Sequence, residues 1–221
     1  MLLSLFSKKQ AHASQVYSLE AMDEIALSHV NFTYLKRTVD PYINLFAQLL
    51  IEHNFSGINA AVSKASVKSV LGEKFDQSQL HLRGKSRFID DITQLTSLFL
   101  DLVEEDVVQL HLKVVGNDAC SKFHTDLYHL RMLCTYAGKG TEWIEEPYVN
   151  RKMLMHGENH QIIRDFTKVQ TMQPFEVAIL KGEASAKNKN RGIVHRSPPI
   201  LQTGEKRLLL RLDSSIKPRK S

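Results

Sequence analysis

Two cysteines in 221 residues, Cys120 and Cys134, are too few for a disulfide scaffold, and neither stands in a Cys-x-x-Cys pair. Zinc ribbons and thioredoxin-type motifs are thereby excluded, and reduced thiols are expected. Long hydrophobic runs are missing too: "YINLFAQLLI" and "LTSLFLDLV" reach about half the length that crosses a bilayer and contain polar residues. The N-terminal "MLLSLFSKK" carries its charge after a short apolar run, the reverse of a secretory leader. A cytoplasmic protein without membrane association is expected. Phosphate-binding glycine loops, nucleotide fingerprints and an ordered Ser-His-Asp set are all absent, which removes the commonest rival enzyme classes. No internal repeat or low-complexity tract interrupts the chain.

Charge is present but unevenly placed. From Ser185 to the end, ten Lys/Arg face only Glu205 and Asp213, a local charge of +8 that leaves the rest of the chain at -3. Such a region draws in anionic ligands, nucleic acid or a membrane surface; the alternative for the terminal "KPRKS" is a solvated tail.

The first half reads as helical. Asp40 and Pro41 supply an N-cap and a first-turn proline to "PYINLFAQLLIEHN", whose Ile43, Leu45, Phe46, Leu49 and Leu50 share a broad face. After Gly57 a weaker pattern runs through "INAAVSKASVKSVLG" and predicts a helix closed by Gly72. A third helix is predicted over "RFIDDITQLTSLFLDLV". The period then drops to two: in "VVQLHLKVV" Val108, Leu110, Leu112 and Val114 alternate with polar positions, as on a strand with one buried face. Further short β-runs follow in "YHLRMLCTYA", "VQTM", "EVAILKG", "GIVHR" and "KRLLLRLD". Closely spaced strands without intervening helices predict an antiparallel sandwich or barrel, and a jelly roll fits the number. The expected organisation is an α+β chain: a mainly helical region 1–105 packed on the core, a jelly-roll metal-binding core 106–213, and a basic tail 214–221. Residues 145 to 165 form a polar excursion over the rim.

His124-Thr125-Asp126 is the candidate chemistry. The composition yields about one His-x-carboxylate pair by chance, and the chain has two, the other being His156-x-Glu158. Context decides between them. Residues two apart at a strand edge point to one face, so His124 and Asp126 can occupy adjacent positions around a metal. His195 in "GIVHRSPP" is the one histidine in a later β-segment. Two histidines and a carboxylate with open positions make the facial triad of non-haem iron(II) oxygenases. Arg207 and Arg211 share a face of "KRLLLRLD" opposite Leu208, Leu210 and Leu212, where an arginine can grip the far carboxylate of a metal-chelating acid. Competing arrangements are a closed zinc site built on Cys120-x3-His124 with Cys134, Asp126 or His195, and a pair of imidazoles, His156 and His160, four residues apart in "HGENH". Tyr136, Thr141 and Trp143 either close a pocket beside the glycine turn or pack in the core; Cys134 reads as a buried small hydrophobe.

"FHTD", "LCTYAGKGTEW", "AILKGE", "VHRSPP" and "EKRLLLRLD", in that order across roughly residues 105 to 213, resemble a bacterial family of uncharacterised proteins. More remotely, the chain is similar to the jelly-roll iron(II)/2-oxoglutarate-dependent dioxygenases. That second resemblance implies iron bound by His124, Asp126 and His195, with no catalytic side chain beyond these ligands. It also implies 2-oxoglutarate held through Arg207, with Arg211 nearby, and an oxygenase acting on a small or anionic substrate. The alternatives are a non-catalytic jelly-roll protein that buffers or senses zinc or iron, and a module that binds an anionic partner through the basic C-terminal region.

Overall fold

A computed structural model describes residues 12–77, 83–117 and 120–215. In chain order the elements are β1 (His12–Val16), β2 (Val30–Leu35), α1 (Pro41–Glu52), β3 (Ile58–Val62), α2 (Val67–Gln77), α3 (Arg83–Val103), β4 (Val108–Val115), β5 (Leu130–Ala137), β6 (Glu142–Ile144), α4 (Asn159–Ile162), β7 (Gln170–Thr171), β8 (Val177–Lys181), β9 (Val194–Arg196) and β10 (Arg207–Asp213).

Seven strands form one sheet in the order β1-β2-β8-β5-β10-β4-β3, antiparallel except for the parallel β1–β2 pair. Three form a smaller sheet, β7-β6-β9. The alternation of side chains gives the large sheet two different faces. Leu208, Leu210 and Leu212 of β10 join Leu110 and Leu112 of β4 and Met132, Cys134 and Tyr136 of β5 in a core against Phe46, Leu50, Phe88, Ile92 and Phe99 of the helices. On the opposite face Phe32, Leu133, Ala178 and Leu180 meet Trp143, Met172 and Ile193 from the side of the small sheet. Strand β5 is covered on both faces, and every one of its residues is buried.

α1 begins where its sequence signals put it, the Asp40 side chain accepting from the backbone N–H groups of Tyr42 (2.8 Å) and Ile43 (3.2 Å). The region before residue 105 departs from a purely helical reading, because β1, β2 and β3 lie there and extend the large sheet at both edges. In "INAAV" Ile58 and Val62 turn inward while Asn59 and Ala61 stay exposed, a period of two that pairs with β4 from Ile58↔Leu112 to Val62↔Val108. Long-range pairing outweighs the helical pattern there. Gly72, expected as a cap, lies inside α2. At the other end of the chain Ser214 is buried, and its hydroxyl accepts from the Leu130 N–H (2.9 Å), so it closes the sheet rather than starting a tail. The terminal "KPRKS" lies outside the described residues. No helix among the described residues is long and apolar enough to cross a membrane.

Candidate metal centre

The two histidines meet because their backbones do. His124 and His195 form an antiparallel bridge and exchange both backbone hydrogen bonds, each 3.0 Å, so their side chains leave the ribbon on one face. Their ring centroids are 4.6 Å apart. Asp126, two residues beyond His124, turns to the same side. One donor atom from each of His124, Asp126 and His195 lies within 4.8 Å of the others.

The hydrogen bonds around the rings leave the donor atoms free. His124 Nδ1 is 2.8 Å from the Lys122 carbonyl and His195 Nδ1 is 3.2 Å from that of Ile193. A carbonyl only accepts, so each Nδ1 carries a proton, and in the neutral form of either ring Nε2 presents the lone pair. Burial pushes the His195 imidazolium down to about 4, against the pull of the Asp126 carboxylate, and the ring is therefore neutral near pH 7. Its Nε2 stands 3.5 Å from Asp126 Oδ2, a buried oxygen without a hydrogen-bond partner among the described residues; His124 Nε2 is 4.0 Å from Asp126 Oδ1. Acceptors facing one another across such a gap repel until a cation lies between them. The donor set therefore fits a divalent metal of the iron or zinc type.

Asp126 is held from behind. Arg131 at the start of β5 donates from Nη1 to Asp126 Oδ1 (2.5 Å) and from Nε to Asp213 Oδ1 (2.5 Å), and its guanidinium lies 4.6 Å from the Tyr128 ring centroid. Burial works against the charge of Arg131, but Asp126 and Asp213 outweigh it and raise its pKa. Arg211 Nε comes within 2.9 Å of Asp213 Oδ2 without hydrogen-bond alignment, and His111 Nε2 lies 3.7 Å from the same oxygen. A chain of alternating charge thus runs from the His-Asp-His cluster to Arg211.

Beside that chain is a cavity of about 340 Å³, walled by Arg207, Arg211, His111, Lys113, Cys120 and Ser197 together with Val114, Val115 and Leu209. Among the described residues its wall holds no Asp or Glu. Arg207 is 2% exposed, donates from Nη1 to the Lys139 carbonyl (3.2 Å), leaves Nε unpartnered, and has no carboxylate partner among the described residues. Burial pulls its pKa down to about 10. The ribbon that carries the histidines also forms part of this wall, where the Ser197 N–H donates to the Cys120 carbonyl (3.0 Å).

Other sequence candidates lie elsewhere. Cys120 lines the cavity but does not enter the donor cluster, and Cys134 faces the helices, 3.6 Å from Arg37 Nη2. A closed zinc site built on those thiols does not form. His156 and His160 are exposed and belong to no cluster of potential ligands among the described residues. Tyr136 packs on the helical face and donates to Asp91 (2.6 Å), while Trp143 stacks near Phe32 at 4.5 Å; neither lines the cavity, nor does Thr141.

Arg131, Asp213 and Asn159 escape a motif-based reading. Asn159 sits in the excursion, yet its side chain accepts from the Phe123 N–H (2.8 Å) and donates to the Ser121 carbonyl (3.0 Å), just ahead of His124. A polar residue embedded in the apolar strand "RLLLRLD" was the one available hint, and it pointed at Asp213.

The fold is mixed α/β with a large, mainly antiparallel sheet, similar to the jelly-roll folds of dioxygenases, and it brings His124, Asp126 and His195 together as a cluster of metal-ligating groups. Two solved structures are similar to it across most of the chain. One is dioxygenase for auxin oxidation 1 from Arabidopsis thaliana, in binary complex with 2-oxoglutarate, with a TM-score of 0.50 and 10% identity, covering 92% of each chain. The other is the dioxygenase for auxin oxidation in rice, with a TM-score of 0.50 and 9% identity, covering 92% of this chain and 82% of that one. The chain belongs to the family described as "Protein of unknown function (DUF1826)", whose model matches residues 17–213. No curated protein sequence matches it.

Proposed function

We propose that the protein is a mononuclear non-haem iron(II)/2-oxoglutarate-dependent oxygenase acting on a small or anionic substrate. The reading is carried by one juxtaposition: a cluster of metal-type lone pairs is tied, through one ribbon and one charge chain, to a cavity containing a buried arginine without a counterion among the described residues. The strand order supports a double-stranded β-helix, since β4-β10-β5-β8 of the large sheet faces a small sheet in which the His124 bridge extends β7-β6-β9.

His124 and His195 hold the metal through Nε2, and Asp126 holds it through Oδ2. Arg207 receives the distal carboxylate of the co-substrate; a buried cation without a partner is costly, and an incoming dicarboxylate removes that cost. Arg211, already shared with Asp213, lends further positive potential. Val114, Val115 and Leu209 keep the cavity wall apolar between the charged groups. Iron(II) with 2-oxoglutarate supplies the oxidation itself: dioxygen, 2-oxoglutarate and a substrate C–H bond yield succinate, carbon dioxide and the hydroxylated product.

The test is anaerobic titration of the metal-free protein with iron(II) and then 2-oxoglutarate, followed by exposure to oxygen. A visible metal-to-ligand absorption band and formation of succinate are expected. Tight zinc binding with neither signal would refute the oxygenase reading and favour a metal-buffering or metal-sensing protein.

A further inference from the structure

Asp126 has two oxygens, and the chain treats them differently. Oδ1 accepts a short charge-assisted bond from Arg131 Nη1 (2.5 Å), whereas Oδ2 has no hydrogen-bond partner among the described residues and faces His195 Nε2 at 3.5 Å. Arg131 cannot swing to the other oxygen without cost. Its Nε is bound to Asp213 at 2.5 Å, Tyr128 lies against its guanidinium, and the residue is 8% exposed. Its planar fork is thus fixed at both ends.

We infer that Arg131 is a positioning residue that restricts Asp126 to a single metal-binding oxygen. A carboxylate left to itself can chelate through both oxygens. If Asp126 did so, the protein would fill four positions of a six-coordinate shell, and a chelating 2-oxo acid would take the remaining two. With Oδ1 engaged by Arg131, the chain would supply three donor atoms and leave the rest of the shell to ligands from solution. Asp213 has the complementary task of anchoring Arg131, and through Arg211 it ties that anchor to the cavity wall. This inference rests on the metal site proposed above.

Cobalt(II) alone is a suitable probe, because its visible bands weaken as coordination number rises and need no turnover. The full-length protein is expected to bind one cobalt, with His124→Ala abolishing the spectrum. Arg131→Met is expected to bind cobalt roughly 10- to 100-fold more weakly, as substitutions behind metal ligands commonly do, and to give a weaker band per bound ion as Asp126 adds its second oxygen. A purely structural arginine would lower the melting temperature and leave the band per bound ion unchanged. Wild-type affinity and spectrum in a folded Arg131→Met protein overturn the inference while leaving the metal site intact. Cobalt retained by His124→Ala overturns both. Should Arg131→Met not fold, Arg131→Lys carries the same test: it keeps the charge but cannot bridge both carboxylates in one plane. A change of band in the same direction is then expected, and an unchanged band refutes the proposal.

Discussion

Asp126 Oδ2 and His195 Nε2 face each other 3.5 Å apart with no proton donor from the described residues directed at the oxygen. Two acceptors in that relationship raise the energy of the metal-free protein, and a divalent ion lowers it. Cobalt(II) at about 100 times its dissociation constant is expected to stabilise the fold by about 2.7 kcal/mol. Thermal melts under nitrogen, with and without the metal, check this. The gain should vanish in His195→Ala and in Asp126→Ala, and its persistence in both would place the metal elsewhere.

Arg207 links stability to ligand binding with opposite signs. Replacing it by methionine removes a buried cation that has no carboxylate partner among the described residues, and should stabilise the metal-free protein by about 1 kcal/mol in urea unfolding. The same change should weaken 2-oxoglutarate binding roughly 10- to 100-fold while sparing metal affinity. Equal loss of metal and 2-oxoglutarate binding would contradict the assigned role.

The pH dependence of the metal-free fold has a definite direction. Burial holds both His195 and His111 at about 4, below the ordinary histidine value of 6.5. Between those limits the unfolded chain binds more protons than the folded one, so this contribution to stability is complete above about pH 6.5 and is lost as pH falls towards 4. Urea midpoints at pH 7 and pH 5 read it directly. His111→Asn should reduce the pH 5 deficit; an equal deficit in wild type and variant would remove His111 from the account.

Gly138 has a left-handed φ of +81°, and a Cβ there would stand 2.8 Å from Arg207 Cα. Gly138→Ala is therefore expected to cost more than about 1 kcal/mol and to displace the start of β10. Denaturant unfolding measures the first effect and 2-oxoglutarate titration the second. Weakened 2-oxoglutarate binding with normal metal affinity is the expected pattern.

Local chemistry made β4, β5, β7 to β10 and α1 legible, because alternation, caps and turn residues are written in adjacent positions. β1 to β3 were harder: "INAAV" carries no strong local preference, and its state is decided by pairing with β4, a partner about fifty residues away in sequence. The site divides in the same manner. Spacing alone does not separate His124 and Asp126 from His156 and Glu158; their place at a strand edge does, and motif order proposes His195 and Arg207. Arg131 carries no such mark, since its role depends on β5 lying beside β10 so that Arg131 and Asp213 come into register. The cysteines misled for a related reason. Nearness in sequence suggested a shared site, but the pleat turns Cys134 to the helical face.

Asn159 stitches the excursion to the backbone on either side of Lys122, immediately before His124. Residues 145 to 165 thereby act as a splint set after the break has been aligned. The ribbon bearing the first histidine gains this support only when chain some thirty-five residues later has docked, and its bridge to His195 only when chain some seventy residues later has. Metal uptake would then serve as a timer for the completion of folding, and a protease cut within the excursion should loosen the metal without touching any ligand.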